Sequence, residues 1–280
     1  MANLRVGVTL DSKVHNMCTN HFFVAMSLSV GLLLTSASGA LSATAPTPVD
    51  SKSTAKTPQT EPLHKATPQQ RALADRLDPL SRATFWSNET DIDPTDAVAG
   101  VKLAAVLREL GRFEEADSAA QRVLAMQPNN YDALLEAARA RIAGRKGFYA
   151  IESLKAAIKA QPGDWRPQSL LGVALEQSER PAEAREAYQR ALSLSPENPA
   201  VLSNLAMSYA AEGDRAQAEQ LLRRAVARPD ATIKERQNLA LIVGLQGRIE
   251  EAERLIRADL PPDVAAANLA YLRSLQPARP

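Results

Sequence analysis

Small and apolar residues return along this chain at one fixed interval. Ala116, Ala150, Ala184, Ala218 and Ala252 each stand 34 residues from the last. Twelve places ahead of each stands another small residue: Ala104, Ala138, Gly172, Ala206 and Ala240. Leu103, Ala137, Leu171, Leu205 and Leu239 come one place before those. Pro128, Pro162 and Pro196 keep the same spacing, and Pro229 arrives one residue early. Several columns with one period mark a stack of like supersecondary units.

The chemistry of the columns predicts two helices and a turn in each unit. Small residues belong where the helices cross most closely, since their backbones can approach there without leaving a cavity. Gly111, Gly213 and Gly247 fall between the helices, where glycine adopts a left-handed cap with little strain. The late prolines end the second helix, because proline cannot continue it and restricts the residue before it. Five units follow, at 97–130, 131–164, 165–198, 199–232 and 233–266. The third has Ser178-Glu179-Arg180-Pro181 in place of the glycine turn, with Pro181 opening its second helix. The second has Gly144-Arg145-Lys146-Gly147, which reads as a looser, mobile turn.

Stacks need atypical ends, because an outer unit otherwise exposes an apolar face. Residues 68–96 read as capping helices or a degenerate repeat, with Trp86 at the bulky second-helix position and Pro94 closing it. Leu260-Pro261-Pro262 breaks the fifth unit, so the repeats occupy 97–262. Residues 263–280 form a closing helix and tail, with Asp263 as the helix cap.

Composition sharpens this picture. The apolar fraction is 45%, dominated by alanine and leucine, with only 4% aromatics, which suits closely packed helices better than strands. Formal net charge is +1 and opposite charges alternate throughout, so there is no clustered basic stripe for nucleic acid. The single cysteine, Cys18, permits neither a disulfide framework nor a zinc site. The histidines are His15, His21 and His64, so the repeats contain no imidazole and no thiol. The common general bases, thiol nucleophiles and transition-metal ligands are absent together. We therefore expect no catalytic residue, metal, cofactor or small-molecule substrate.

The N-terminus reads as an export signal. Arg5 and Lys13 precede an apolar stretch from Phe22 to Leu34, and small residues Ser36-Ala37-Ser38-Gly39-Ala40 follow. Residues 1–40 are thus a leader, with cleavage expected after Ala40. The apolar stretch is shorter than the roughly 20 residues that a membrane-spanning helix requires. An uncleaved leader holding the protein at the membrane and a disordered cytosolic tail are the alternatives. Cys18 precedes the apolar stretch, so it cannot serve as a lipidated cysteine after cleavage, and no lipid anchor is expected. Residues 41–67 are rich in Ser, Thr, Ala and Pro and lack periodic apolar positions, as a disordered linker would. The protein is expected to be exported, either periplasmic or peripheral to the cell envelope.

These columns resemble the tetratricopeptide repeat. The resemblance implies an all-α fold, a right-handed α-solenoid of about five helix pairs with flanking capping helices. It also implies that first helices line a concave face for protein partners. The positions that point into that face in the family select Lys102, Arg139, Arg166, Asn204, Met207, Lys234, Gln237 and Asn238 here. Related repeats use asparagines placed like Asn204 and Asn238 to grip an extended peptide, since an amide both donates and accepts. The same asparagines could instead bond neighbouring helices. Lys102, Glu136 and Leu170 depart from that pattern in the earlier units, and no complete set of Lys and Asn residues for clamping a terminal carboxylate is present.

Three segments narrow the resemblance to TadD-type assembly proteins of Flp (tight-adherence) pili. They are Asp78-Pro79 through Phe85-Trp86 to Asp93-Pro94-Thr95-Asp96, the stretch Glu235–Arg248 with Asn238-Leu239-Ala240, and Asp259-Leu260-Pro261-Pro262 with Ala266–Arg273. The resemblance implies a non-catalytic scaffold in the bacterial envelope whose partners are pilus-apparatus or secretin components. A general peptide-binding adaptor of another envelope pilus or secretion complex is the other reading.

Overall fold

A computed structural model describes residues 64–275. The leader and most of the linker expected at 1–63 lie outside the described residues, as do the last five residues of the tail. Among the described residues the chain forms thirteen helices and no strand. Two helices precede the repeats, α1 (Pro68–Ala74) and α2 (Pro79–Ile92). The five pairs are α3 (Ala97–Glu109) with α4 (Phe113–Met126), α5 (Tyr131–Ala143) with α6 (Gly147–Ala160), α7 (Trp165–Gln177) with α8 (Pro181–Leu194), α9 (Pro199–Ala211) with α10 (Arg215–Val226), and α11 (Ile233–Leu245) with α12 (Ile249–Asp259). Helix α13 (Pro262–Ser274) closes the stack.

Each first helix begins at a polar cap. Asp96, Asn130, Asp164, Asn198 and Thr232 occupy the N-cap positions, and each side chain accepts a hydrogen bond from a backbone amide of the first turn. These caps are themselves 34 residues apart, a sixth column that the alanine and proline columns overshadowed. Such a cap is worth about 1 kcal/mol to its helix.

The turn inside each pair is closed identically in all five units. The amides of Arg112, Lys146, Arg180, Asp214 and Arg248 donate back to Leu107, Arg141, Leu175, Tyr209 and Val243. This six-to-one closure requires a left-handed residue. Gly111, Gly213 and Gly247 supply it with φ of 75°, 94° and 88°. Arg145 and Glu179 supply it in the second and third units with φ of 61° and 58°. The second turn is therefore not the looser one its two glycines suggested. Gly147 lies inside α6, where an added Cβ would stand 2.7 Å from both the Ala174 carbonyl oxygen and Gln177 Cβ.

The small columns sit where expected. Ala104, Ala116, Ala138, Ala150, Ala184, Ala206, Ala218 and Ala252 are completely buried, and Ala240 is nearly so. The third unit uses Gly172 because Tyr188 fills the space: a Cβ on Gly172 would lie 2.3 Å from Cε1 of that ring. Gly244 likewise admits Leu272 of the closing helix, which seals the end of the stack. Helix α13 starts from Pro261 without a side-chain cap; Asp263 lies in its first turn, where its charge favours the helix N-terminus. At the other end Trp86 is buried against the first unit.

Contacts between units are one-sided. Each first helix touches the first helix of the next unit, from α3 to α5 and onward to α13, whereas successive second helices make no comparable contact. Bodies packed closer on one side curve toward it, so the first helices form the inner, concave side of the stack.

Substitutions at these close contacts test the packing. Gly172→Ala should cost about 1–3 kcal/mol in thermal or urea unfolding, and Tyr188→Leu should remove most of that cost in a double-mutant cycle. Additive effects would place Tyr188 elsewhere. Glu179→Gly should stabilise by about 0.5–1 kcal/mol by relieving the left-handed backbone, with no gain expected at exposed non-turn positions.

Candidate interaction surface

The inner face is built by α3, α5, α7, α9 and α11, and the structure assigns most of its polar side chains to neighbours. Lys102 reaches back to Asp75 at 2.7 Å, and its ammonium lies 5.9 Å from the centre of the Trp86 ring. It fastens the first unit to the capping helices. Glu136 is buried between Arg108 at 2.9 Å and Arg139 at 2.5 Å. A buried carboxylate needs such partners, because an unpaired charge there is costly. Arg139 is thereby held at the seam of the first two units.

Arg166 lies beside Asp164, which also caps α7 and accepts a hydrogen bond from the Tyr131 hydroxyl at 2.5 Å. The guanidinium stands 5.9 Å from the Tyr131 ring centre. Burial pushes the Asp164 carboxyl up, but bonds from Arg166 and Tyr131 outweigh it and bring the value down to about 2. Burial first, and then the bond to Asp164, pushes the Tyr131 hydroxyl up to about 12.

The two asparagines bond sideways to the preceding unit. Asn238 is buried and donates to Ser203 Oγ at 2.9 Å; Asn204 donates to Ser169 Oγ at 3.5 Å, a weak contact. Both therefore take the neighbouring-helix role that their sequence pattern left open. The serines at 169 and 203 are five-place equivalents in adjacent units, so the pairing repeats down the stack. Gln177 extends the series by donating to the Ile142 carbonyl at 2.9 Å. Sequence spacing could have revealed the serine column, since Asn and Ser recur 35 residues apart.

Met207, Lys234 and Gln237 remain half-buried on the last two first helices. Met207 packs against the main core, and burial lowers the Lys234 ammonium below the usual lysine value. These three give the inner face near α9 and α11 an apolar, a cationic and an amide side chain. Among the described residues no cluster of His, Cys, Asp and Glu could hold a metal ion, and no helix is long and apolar enough to cross a membrane.

A second polar constellation, unnoticed in the sequence, fixes the entry to the stack. Arg71 pairs with Glu89 and, at 2.7 Å, with Asp96; Lys65 reaches Asp96 at 2.6 Å and Asp93 at 3.0 Å. Ala66 donates its amide to Glu89 at 2.9 Å. Lys65 and Ala66, within the stretch read as linker, are thus tied to α2 and the first cap.

Models of the tetratricopeptide repeat match residues 101–147 and 149–199, and a further such model matches 175–240. Cellulose synthase operon protein C of Pseudomonas fluorescens (strain SBW25) is 33% identical over 132 residues, 47% of this chain and 10% of that protein. An uncharacterised protein, y4yS, of Sinorhizobium fredii (strain NBRC 101917 / NGR234) is 32% identical over 113 residues, 40% of this chain and 61% of that one. The chain thus spans less than two thirds of either curated relative. Among solved structures, a thermophilic TPR protein of Thermus thermophilus superposes with a TM-score of 0.54 at 19% identity, covering 62% of this chain and 94% of that one. At that identity the shared property is the fold. The chain is an α-solenoid carrying tetratricopeptide repeats, an architecture that generally holds protein partners and is typically non-catalytic.

Asn238→Ala should cost about 1 kcal/mol of stability while leaving helix content unchanged, because Ser203 loses its cross-unit partner. An unaltered unfolding midpoint would remove the asparagine from the unit interface. Acid titration offers a further check. The folded Asp164 value of about 2 lies below the 3.8 of the free side chain, so its contribution is full above about pH 4 and lost as pH falls toward 2. Asp164→Asn should therefore lower stability at neutral pH and flatten the unfolding curve between those limits.

Proposed function

We propose that this tetratricopeptide-repeat solenoid is a non-catalytic scaffold of the bacterial cell envelope that assists assembly of Flp (tight-adherence) pili. Its partners are pilus-apparatus or secretin components held on the inner face. The observation that carries the pilus reading is the resemblance of two C-terminal segments to TadD-type proteins. Those segments are the fifth first helix with its turn, Glu235–Arg248, and the closing helix around Ala266–Arg273, and they pack together through Gly244 and Leu272. The leader pattern at residues 1–40 supports an exported location.

A second reading is an adaptor for another envelope assembly, and the 33% identity to a cellulose synthase operon protein favours it for the matched repeats. A gene neighbourhood holding prepilin, prepilin peptidase and secretin genes separates the two: its presence supports the pilus scaffold, and a polysaccharide-synthesis cluster supports the other.

Affinity purification of the tagged full chain from cell envelopes should recover a secretin or another pilus component. Recovery of none in repeated experiments would end the pilus assignment. Lys234→Ala combined with Gln237→Ala should weaken that capture by roughly tenfold, about 1–2 kcal/mol, with helix content unchanged. Undiminished capture would move the contact off the inner face.

A further inference from the structure

The units can be compared column by column, and one exposed position departs from the rest. The residues that open the second helices read Glu114-Glu115, Ala182-Glu183, Ala216-Gln217 and Glu250-Glu251 in four units, but Phe148-Tyr149 in the second. Packing does not explain the change, because Phe148 is 67% and Tyr149 66% exposed. The two rings meet edge to face with centres 5.6 Å apart, forming one apolar knob. Acidic residues normally favour a helix N-terminus, and α6 has none in its first turn.

Charge departs in the same place. From Arg145 to Ala160 the chain carries Arg145, Lys146, Lys155 and Lys159 against Glu152 alone, the most positive excess of any equivalent stretch. Phe148, Glu152, Lys155 and Lys159 are exposed at three- and four-residue steps and so share one face of α6. Lys146 pairs with Glu114 of α4 at 2.8 Å, which leaves Lys155 and Lys159 as the cations of the outward face; the Lys155–Glu152 pair is open to water and neutralises little of their charge. As a second helix, α6 lies on the outer side of the stack.

From this coincidence we infer that the outer face of α6 docks on an anionic membrane surface, with Phe148 and Tyr149 entering the headgroup boundary and Lys155 and Lys159 facing acidic phospholipids. Aromatic side chains partition to that boundary, and cations beside them add attraction to anionic lipid that salt screens. A protein segment would seek a groove. The nearest cleft, about 220 Å³ between α4 and the end of α5, is walled by Phe113, Glu114, Asp117 and Arg141 and includes neither ring. A protruding pair above a cationic stripe matches a plane better than a strand or helix.

Vesicles test this without any pilus component, so its failure and that of the scaffold reading are separable. The full chain should sediment with phosphatidylglycerol-containing vesicles more than with phosphatidylcholine vesicles, and less at high salt. Phe148→Ser with Tyr149→Ser should reduce partitioning to the anionic vesicles by roughly tenfold, with circular dichroism unchanged. A Phe148→Trp reporter should show a blue shift beyond that of the native tryptophans when those vesicles are added. Equal partitioning of the double variant, or no added shift in the reporter, overturns the inference. Loss of an envelope protein from pull-downs with vesicle binding intact would assign the knob to a protein partner and overturn it equally.

Discussion

Everything in this molecule depends on how closely two helices can cross. Completely buried alanines at the crossing points let the two backbones of each pair approach, and the neighbouring first helix then nests against them. Where a facing helix carries a bulky side chain, the first helix must shrink further: Tyr188 on the second helix of its pair requires Gly172, and Leu272 on the closing helix requires Gly244. Packing density leaves little room for error, since a single methyl group in such a contact displaces its neighbours. The inward curvature, the placement of the polar face and the exposure of the outer helices all follow from that approach.

The polar inner face is largely an intramolecular device. Lys102, Arg108, Asn204 and Asn238 each hold one unit to another or to the capping helices, while Arg139 and Arg166 pair with carboxylates beside them on their own helices. Units of a solenoid contact only their neighbours, so stability is a sum over such seams. A partner on this face meets a surface whose charges are already ordered by ion pairs. Met207, Lys234 and Gln237 stand half-buried near the C-terminal end of the stack.

The period was legible because alanine and proline are chemically conspicuous at their positions. Helix boundaries followed from it closely, with Pro128, Pro162 and Pro196 standing just beyond α4, α6 and α8. The left-handed turn was legible only where glycine occupies it, and Arg145 and Glu179 concealed it because their neighbours fix the backbone instead. The caps varied among Asp, Asn and Thr, so no single residue type drew the eye. Ion pairs such as Arg71 with Glu89 and Asp96 were illegible, since nothing in a sequence tells which of many charges meet. Asn238 was legible as a special position but not in its role, because an amide serves a peptide or a serine hydroxyl equally well.

The nested-unit account is tested most directly by amide hydrogen exchange on the full chain, read helix by helix. It predicts protected amides in every first and second helix from α3 to α12, with no break at the Arg145 and Glu179 turns. Any one pair exchanging at the rate of an unfolded chain while its neighbours stay protected would contradict a continuous stack.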